Sequence, residues 1–423
     1  MTTIAYIANK FPSPLEPYVM DEIAELRRHG AQVICCSGKR VSPEDLSLAE
    51  RDFWEETRFF RPLSDDELMR AVRRLASDRH TLWQLLRPLL WERGVSPGRR
   101  IRTIGHTVMG AALAEELAPL NVEHIHAHHG YFASWMALTA ARLLGIGFSF
   151  TLHGSDLLQR ADLLSPKLRA CQFCVTVSDF NRRYILHNYP STDPEKIIVQ
   201  RLGVDRVLSW PTPAVAAEAD HQRFCLLSVG RLHRVKDHTF LIQACAALRD
   251  QGLDFICWIV GEGPDRPALE SQIAASGLQG RVYLIGYVPR TDLPGYYRYA
   301  DLVVMTSKSE GIPVVLMEAM AHEKLVLAPA ITGIPELVEH QRTGFLYQPG
   351  SLPDFVSAVS WIQAHKDSLA GIRHAAAASI AASYNRQRNL RAFAEEFLAR
   401  ISQSEGDHAH PVSQQIRLSV QRH

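Results

Sequence analysis

The feature that most constrains the fold is a unit of strand, loop and helix that recurs along the chain. Its clearest copy starts with an apolar, β-branched run over residues 302–305, which is typical of a buried parallel strand. Residues 307–313 form the loop, and a helix that starts near Pro313 carries Glu318. Because such units place parallel strands in one sheet with helices on its faces, the sequence predicts an α/β fold.

The 423 residues are too many for one ordinary core. A proline-punctuated stretch over 210–220 separates two series of predicted strands and helices. We therefore expect an N-terminal domain over 1–205 and a C-terminal domain over 206–384. A helix over 385–401 should return to the first domain, and the polar tail over 402–423 should be disordered.

Composition argues against several classes of protein. A net charge of +1 gives no reason to expect a nucleic acid as a partner. No run approaches about 20 uncharged apolar residues, so we expect no transmembrane span, and the N-terminus lacks the pattern of a signal peptide. The seven cysteines are interpreted as small buried hydrophobes, and a cytoplasmic location fits best.

A basic helical segment over 65–102 interrupts the first series, and we interpret it as an insertion. Residues 68–102 hold nine arginines against two acidic residues, and Arg70, Arg73 and Arg74 share one helical face. Tryptophans and leucines in the same segment provide apolar bulk. Two interpretations remain open: a solvated basic surface, or peripheral docking on an anionic membrane that would bring the protein to a lipid-linked substrate.

Histidines mark a strand predicted over 122–127. His124, His126 and His128 alternate along one face, a pattern that could suit a metal ion. In a parallel sheet, however, only the carboxyl end of a strand meets a ligand crevice. We therefore expect no metal site, and we expect His128 and His129 to line a cleft.

Polar residues also follow two other strands of the first series. His153 and Asp156 come directly after a strand over 147–152, so they should lie at the same edge of the sheet as the histidines. The loop after the first strand carries Lys10 and Glu16 but no glycine, whereas a dinucleotide fold needs a glycine-rich turn there. An NAD or FAD enzyme is therefore not expected.

The second series carries a cationic loop and two notable carboxylates. Arg231 and Lys236 lie between a strand and the start of a helix, where a guanidinium and an ammonium suit a diphosphate. A carboxylate such as Glu310 repels a phosphate at the same edge, so it needs another task there. Accepting hydrogen bonds from the hydroxyl groups of a sugar would be such a task. Glu310 and Glu318 do not suit a glycosidase pair, because the helix separates them.

Five ordered motifs lie in the second half of the chain: 228–232 with Lys236, 261–264, 286–288, 309–313 with 318–321, and 333–338 with 344–346. In this order they resemble the motifs of the retaining glycosyltransferases of family 4. The first half matches that family more loosely, at residues 126–128 and 153–156. The resemblance implies the GT-B architecture, in which two Rossmann-like domains with parallel sheets face a deep cleft, the N-terminal one binding the acceptor.

The resemblance also implies roles in binding a nucleotide-diphosphate sugar, mainly in the C-terminal domain. Arg231 and Lys236 would hold the diphosphate and stabilise the charge that grows on the leaving group. Glu318 would accept hydrogen bonds from the ribose hydroxyls. Glu310 would hydrogen-bond the hydroxyls of the donor sugar.

Further roles carried over from the family concern the transferred sugar and the loops. His153 would contact that sugar, and Asp156 would orient its own loop. The remaining donor-binding residues are Gly311, Ile312, Pro313, Gly261, Gly263 and Val288. The anomeric configuration would be retained because the acceptor attacks the same face of the sugar that the phosphate leaves. The resemblance implies no metal ion and no cofactor besides the donor itself.

Residues 11–16 resemble a subset of the family that builds bacterial exopolysaccharide and lipopolysaccharide units. The acceptor would then be a glycan or a lipid-linked glycan, met at the inner face of the cytoplasmic membrane. Its candidate contacts are Lys10, Glu16, His128 and His129. Two alternatives stay open: a GT-B-type nucleotide-sugar epimerase, and a catalytically silent subunit that binds only the sugar nucleotide.

Overall fold

Two parallel sheets, one in each of two units, organise the chain. The structure, a computed structural model, describes residues 1–13, 16–92, 95–159, 161, 163–206 and 223–408. Unit 1 consists of Met1–Val177, Asn181–Gln200 and the chain from Leu390 onward, and unit 2 of Ser178–Phe180 and Arg201–Asn389. The stretch over 210–220, at the expected domain boundary, lies outside the described residues.

Unit 1 holds a sheet of seven parallel strands in the order β3-β2-β1-β4-β5-β6-β7. The strands are β1 (Thr3–Ala8), β2 (Gln32–Ser37), β3 (Arg58–Phe59), β4 (His124–His128), β5 (Gly147–Leu152), β6 (Phe173–Thr176) and β7 (Ile197–Val199). The strand order reverses between the neighbours β1 and β4. Ligands bind outside the carboxyl ends of strands at such a switch point, and Lys10 and His129 lie there.

Nine helices follow in this part of the described chain, several of them with recognisable starts. The helices are α1 (Pro17–Arg28), α2 (Leu48–Glu56), α3 (Asp65–Ser77), α4 (Arg79–Trp91), α5 (Pro97–Leu117), α6 (Phe132–Leu144), α7 (Ser155–Leu158), α8 (Leu164–Ala170) and α9 (Asp179–Asn188). A capping box begins α3, because the backbone N–H groups of Ser64 and Glu67 each donate to the other residue's side chain. No helix in the described part of the chain is both long and apolar enough to cross a membrane.

Unit 2 holds a second parallel sheet, of six strands, in the order β10-β9-β8-β11-β12-β13. The strands are β8 (Phe224–Val229), β9 (Phe255–Val260), β10 (Val282–Gly286), β11 (Leu302–Val304), β12 (Leu325–Pro329) and β13 (Phe345–Tyr347). The order reverses between the neighbours β8 and β11. The loops that carry Lys236 and Glu310 leave these two strands, so both loops lie at the switch point.

The helices of the second part cover both faces of this sheet. They are α10 (His238–Asp250), α11 (Arg266–Ala275), α12 (Leu293–Tyr299), α13 (Val314–Ala321), α14 (Ile334–Leu337), α15 (Leu352–His365) and α16 (Ala370–Ser383). Apolar side chains of α12 and α13 form one buried cluster, and those of α10 and α15 form another. The two clusters lie on opposite faces of the sheet. Its strands are therefore buried on both faces, which explains why their sequences are continuous apolar runs.

The last described helix, α17 (Arg386–His408), packs on the sheet of unit 1. The Phe397 side chain is 1% exposed, and its ring lies 5.2 Å from that of Phe173 and 5.0 Å from that of His126. The helix extends beyond the predicted end at residue 401: its apolar contacts end at Ile401, and a polar stretch continues the helix to His408. The rest of the predicted tail lies outside the described residues.

The helical segment expected over 65–102 extends further than expected, because its last helix continues beyond residue 102. Helix α5 runs unbroken from Pro97 to Leu117, and its second half is buried against α6. The Trp135 indole N–H of α6 donates to the Thr107 hydroxyl at 2.9 Å. The alanine-rich second half gave no amphipathic signal because it is buried on several sides.

Arg74 does not share a free surface with Arg70 and Arg73. Its guanidinium donates to the Leu143 carbonyl oxygen at 2.9 Å and lies 3.7 Å from the Glu115 carboxylate. One smaller expectation also shifts. Pro313 precedes the helix as its N-cap residue. All seven cysteines are buried and none forms a disulfide, which confirms their reading as small hydrophobes.

Replacing Phe397 with alanine should lower the free energy of unfolding by about 3–5 kcal/mol, because it empties a well-packed aromatic site. Glu395→Ala on the exposed side of the same helix is the matched control and should change stability by less than about 0.5 kcal/mol. Urea unfolding followed by circular dichroism measures both. Equal midpoints for the two variants would contradict the packing of α17.

Candidate active site

The centre of the site in unit 2 is an ion pair between Lys236 and Glu310. The Lys236 Nζ atom lies 2.6 Å from Glu310 Oε1, and both side chains are largely buried. Two further hydrogen bonds join the loops: the Thr306 hydroxyl donates to the Lys236 carbonyl oxygen at 2.9 Å, and the Lys308 N–H donates to the Val235 carbonyl oxygen at 2.8 Å. The two predicted site residues are therefore brought together by the pairing of β8 with β11.

The Glu310 loop is held on its other side by the loop after β12. The Thr332 hydroxyl donates to the Glu310 carbonyl oxygen at 2.6 Å. A Cβ on Gly333 would lie 2.1 Å from the Gly311 carbonyl oxygen, so only glycine permits this approach. Ile312 is buried and Gly311 is half-buried, which leaves the backbone of this loop anchored.

Glu318 is held by two residues that the sequence did not suggest. Its carboxylate accepts hydrogen bonds from the Arg290 guanidinium at 3.1 Å and from the Tyr297 hydroxyl at 2.9 Å. Burial, together with the negative charge of Glu318, raises the pKa of Tyr297, so that this hydroxyl stays protonated. Each carboxylate oxygen has a second lone pair, which leaves capacity for ligand hydroxyls.

The glycines after β9 allow two loops to run side by side. A Cβ on Gly261 would lie 2.1 Å from the Gly230 carbonyl oxygen, and one on Gly263 would lie 2.2 Å from the Leu232 carbonyl oxygen. The motif therefore shapes the backbone next to Arg231. The Arg231 side chain is exposed and makes no hydrogen bond or ion pair with any described residue, and Val288 is half-buried against the core.

Asp156 is the anchor of a polar cluster in unit 1. Its buried carboxylate accepts hydrogen bonds from the backbone N–H groups of Gly130 at 2.9 Å, His153 at 3.0 Å and Gly154 at 2.9 Å. Burial alone would raise the pKa of Asp156, but His129 and these donors hold it well below its usual range. The carboxylate therefore fixes the loops after β4 and β5 to each other.

His129 lies between two carboxylates. Its Nε2 atom is 2.8 Å from Glu16 Oε1, and its Nδ1 atom is 3.5 Å from Asp156 Oδ2. Burial by itself lowers the pKa of His129, but the hydrogen bonds and charges of Asp156 and Glu16 outweigh it and raise the pKa to about 10. His129 is thus a buried imidazolium at neutral pH.

The other two histidines of this cluster are neutral. The Nε2 atoms of His128 and His153 are 3.2 Å apart, so one donates to the other. Burial, followed by the charge of His129, lowers the pKa of His153 to about 4, and burial lowers that of His128. The Tyr18 ring packs 4.8 Å from the His153 ring and 5.6 Å from the His128 ring.

His124 and His126 lie deeper, as the strand argument predicted. The Ser149 hydroxyl lies 2.7 Å from His124 Nε2 and 2.8 Å from His126 Nδ1, and the Thr151 hydroxyl lies 3.0 Å from His126 Nε2. Within the part of the chain that the structure describes, no group of three histidine, cysteine or acidic side chains could hold a metal ion. Independence from metal stays a prediction.

The structure thus brings together Lys236 with Glu310, and Glu16, His128, His129 and His153 around Asp156. Lys10 is exposed, and it lies in the loop after β1, the strand that pairs with the histidine strand β4. Sequence reasoning missed Arg290, Tyr297 and Thr332 in unit 2. In unit 1 it missed Tyr18 and also Glu22, whose carboxylate lies 3.7 Å from His128 Nε2. The spacing of Tyr18 and Glu22, four residues apart on α1, could have revealed a polar face toward the histidine strand.

Comparison with known proteins agrees with this arrangement. The family model described as Glycosyltransferase Family 4 matches residues 15–207, and the model described as Glycosyl transferases group 1 matches residues 215–378. The D-inositol 3-phosphate glycosyltransferase of Arthrobacter sp. (strain FB24) is 30% identical over 314 residues, which are 68% of this chain and 73% of that protein. The chain therefore belongs to the family 4 glycosyltransferases.

Two relatives are named for polysaccharide synthesis. The colanic acid biosynthesis glycosyltransferase WcaL of Salmonella typhimurium (strain LT2) is 26% identical over 412 residues, 91% of this chain and 96% of the relative. The amylovoran biosynthesis glycosyltransferase AmsK of Erwinia amylovora is 32% identical over 207 residues, so the match spans 48% of this chain and half of that protein's length.

Solved structures define the fold as GT-B. The Anabaena protein Alr3699/HepE, in complex with UDP and glucose, superposes with a TM-score of 0.68 at 20% identity, over 94% of this chain and 100% of that one. The fold class predicted from sequence, an α/β protein with two Rossmann-like domains, is confirmed.

Replacing His129 with glutamine should remove a pH-dependent part of the stability. Because folding raises the pKa of His129 from 6.5 to about 10, its stabilising contribution is complete below pH 6.5 and is lost as the pH rises toward 10. The stability difference between wild type and variant should therefore shrink across that range, by at most about 1.4 kcal/mol per pH unit. Urea unfolding at a series of pH values measures it.

His153→Gln is the matched control, because the pKa of His153 lies near 4 and its ring is neutral throughout that range. Its stability difference from wild type should stay constant between pH 6.5 and pH 10. A constant difference for His129→Gln as well would contradict a buried imidazolium.

Proposed function

We propose that this protein is a retaining hexosyltransferase that moves a sugar from a nucleotide-diphosphate donor to a glycan or lipid-linked acceptor in bacterial cell-surface polysaccharide synthesis. The observation that carries the proposal is the Lys236–Glu310 pair at the switch point of the unit 2 sheet. The names of WcaL and AmsK support the assignment to exopolysaccharide synthesis.

The ion pair explains how a carboxylate can lie at the same sheet edge as a phosphate, because Lys236 balances the negative charge of Glu310. The Lys236 ammonium has three N–H donors, so it can keep Glu310 and still donate to the β-phosphate of a donor. Arg231, exposed in the same loop, supplies a second cation. Together they stabilise the charge that develops on the leaving diphosphate, which is the main electrostatic contribution in a site without metal.

The carboxylates then bind hydroxyl groups. Glu310, fixed by Lys236 and Thr332, accepts hydrogen bonds from the donor sugar. Glu318, fixed by Arg290 and Tyr297, accepts them from the ribose. In unit 1, His153 contacts the transferred sugar. The carboxylate of Asp156 holds the His153 loop by accepting a hydrogen bond from the backbone N–H group of His153.

The transfer itself keeps the anomeric configuration. The bond between the anomeric carbon and the phosphate oxygen breaks, and the acceptor oxygen bonds to the same face of that carbon. The proton of the acceptor hydroxyl passes to the departing phosphate oxygen, so no protein base is needed. Comparison of the anomeric signals of donor and product by NMR tests retention, and an inverted product would contradict it.

The two alternative functions make different predictions for the donor alone. An epimerase converts the donor sugar without any acceptor, and a silent subunit binds the donor without turnover. The proposed transferase leaves the sugar configuration unchanged until an acceptor is added. Incubation with single nucleotide-sugars, followed by chromatography, separates the three.

Glu310→Ala and Lys236→Ala should each lower the transfer rate by at least about 100-fold, the scale of one lost preorganised electrostatic contact. The measurement is release of nucleoside diphosphate in the presence of acceptor. Lys308→Ala is the matched control, because this exposed lysine lies two residues from Glu310 and pairs with Asp237 at 3.0 Å. Near wild-type rates for both site variants would contradict the mechanism.

We also propose that α3 to α5 dock on an anionic membrane. Their outer surface exposes large apolar side chains, with Trp83 54%, Leu90 58%, Trp91 72% and Ile101 70% exposed. Arg87 lines the same surface hollow as Trp83 and Trp91, and each basic residue near an anionic surface contributes about 1 kcal/mol. Tryptophan with arginine on one surface is a combination suited to the membrane interface.

Trp83→Ala combined with Trp91→Ala should abolish flotation of the protein with liposomes that contain anionic phospholipid. Arg70→Glu combined with Arg73→Glu should have the same effect, since both side chains are exposed. Trp361→Ala, which removes a tryptophan 45% exposed in unit 2, should leave flotation unchanged. Flotation of all variants like the wild type would contradict docking through this segment.

A further inference from the structure

Unit 1 contains a buried acidic side chain that has no task in the reaction described above. Glu22 lies on α1, its residue is 5% exposed, and its carboxyl group faces the histidine strand β4. The Tyr6 hydroxyl of β1 donates a hydrogen bond to Glu22 Oε2. A buried carboxyl group costs stability unless its oxygens have partners, so the groups around Glu22 indicate what it does.

The Glu22 oxygen that faces β4 is a hydrogen-bond acceptor. Burial raises the pKa of Glu22 to about 8, so the carboxyl group is mostly protonated at neutral pH. Burial, followed by the charge of Glu22, raises the pKa of Tyr6 well above its usual range, so the Tyr6 hydroxyl keeps its proton. Because this hydroxyl donates to Oε2, the proton of the acid belongs on Oε1. Oε2 is therefore an acceptor in both protonation states of Glu22.

Only one ring nitrogen of His128 has polar neighbours that can decide its tautomer. His128 Nδ1 is buried and has no hydrogen-bond partner among the described residues. His128 Nε2 lies 3.7 Å from Glu22 Oε2 and 3.2 Å from His153 Nε2. A nitrogen lone pair is repelled by the Glu22 oxygen, whereas an N–H group is attracted to it. Glu22 therefore favours the tautomer of His128 that carries its proton on Nε2.

The tautomer of His128 determines that of His153. The Nε2–H group of His128 donates to His153 Nε2, so this second nitrogen must present a lone pair. Burial lowers the pKa of His153 to about 4, so its ring is neutral and carries its single proton on Nδ1. No described residue accepts a hydrogen bond from this nitrogen, and His153 is only half-buried. The Nδ1–H group is therefore left for a ligand.

Packing keeps the two rings in the places that this chain of contacts requires. The Tyr18 ring lies 4.8 Å from the His153 ring and 5.6 Å from the His128 ring. Tyr18 precedes Glu22 by one helical turn on α1, so both side chains lie on the same face of the helix. One helix thus supplies the ring that packs against the two histidines and the oxygen that orients their protons.

We propose that Glu22 is a positioning residue that acts through His128 and makes His153 a fixed hydrogen-bond donor to an oxygen of the transferred sugar. The inference rests on the proposed function, in which His153 contacts that sugar. A sugar that lacks the oxygen at this place would leave the Nδ1–H group without a partner, so the site selects against it. Glu22 itself lies behind His128 and does not contact the sugar.

NMR of the full chain with isotope-labelled histidines reads the tautomers at neutral pH without any ligand. Spectra of His128→Gln and His153→Gln assign the two signals. In the wild type, His128 should carry its proton on Nε2 and His153 on Nδ1. Glu22→Met removes the oxygen at similar volume, so both tautomers of each ring should become populated. Glu22→Gln should keep the wild-type tautomers, because an amide oxygen can accept from Tyr6 and face His128 as Oε2 does.

Turnover measures the consequence for the donor. Glu22→Met should lower kcat/KM at least about tenfold for whichever of UDP-glucose, UDP-N-acetylglucosamine and GDP-mannose is transferred, and Glu22→Gln should restore the rate to within about threefold of wild type. The affinity for UDP or GDP alone should not change, because the proposed diphosphate contacts lie in unit 2. Glu25→Met is the matched control: this acid is also 5% exposed on α1, but it pairs with Arg28. It should lower stability in urea unfolding and leave the tautomers and turnover unchanged.

Opposite tautomers in the wild type overturn the proposal, and this measurement stands even if Glu22→Met does not fold. Wild-type tautomers in a folded Glu22→Met protein also overturn it, as do equal effects of Glu22→Gln and Glu22→Met. A change of tautomer in Glu25→Met would show that any loss of stability shifts the histidines, which likewise contradicts a specific role of Glu22. If no sugar is transferred from any nucleotide-sugar, the proposed function fails, whereas the spectra still decide whether Glu22 orients the two histidines.

Discussion

Parallel pairing of β1 with β4 and of β8 with β11 is the constraint on which both polar sites depend. Parallel strands all present their carboxyl ends at one edge, and the chain must cross over a helix before it returns to the sheet. Loops that are far apart in sequence therefore meet at the switch point of each sheet. Lys236 and Glu310 become neighbours in this way, as do Glu16 and His129.

Each carboxylate of the polar sites has a cation that balances its charge. Glu310 is balanced by Lys236, Glu318 by Arg290, and Asp156 by His129, so each carboxylate is held rigid and ready to accept hydrogen bonds.

Much of this arrangement follows from sequence, and the part that does not has an identifiable cause. The strands were predictable because buried parallel strands are continuous apolar runs bounded by loops. The association of Lys236 with Glu310 followed from their places after strands of one sheet. The partners of Glu318 did not, because Arg290 and Tyr297 reach it through the packing of α12 beside α13, which has no periodic signal.

The protonation states of the histidine cluster limit the chemistry that unit 1 can perform. Burial keeps His128 and His153 neutral, and one of the two donates a hydrogen bond to the other. His129 is protonated and lies between two carboxylates. A group that takes part in proton transfer at neutral pH needs a pKa near 7, and neither a value near 4 nor one near 10 meets this condition. In the proposed function, the cluster therefore positions the sugar through fixed hydrogen bonds and does not transfer a proton. That conclusion agrees with the proposed mechanism, in which the leaving phosphate oxygen receives the acceptor proton and the protein supplies charge and geometry.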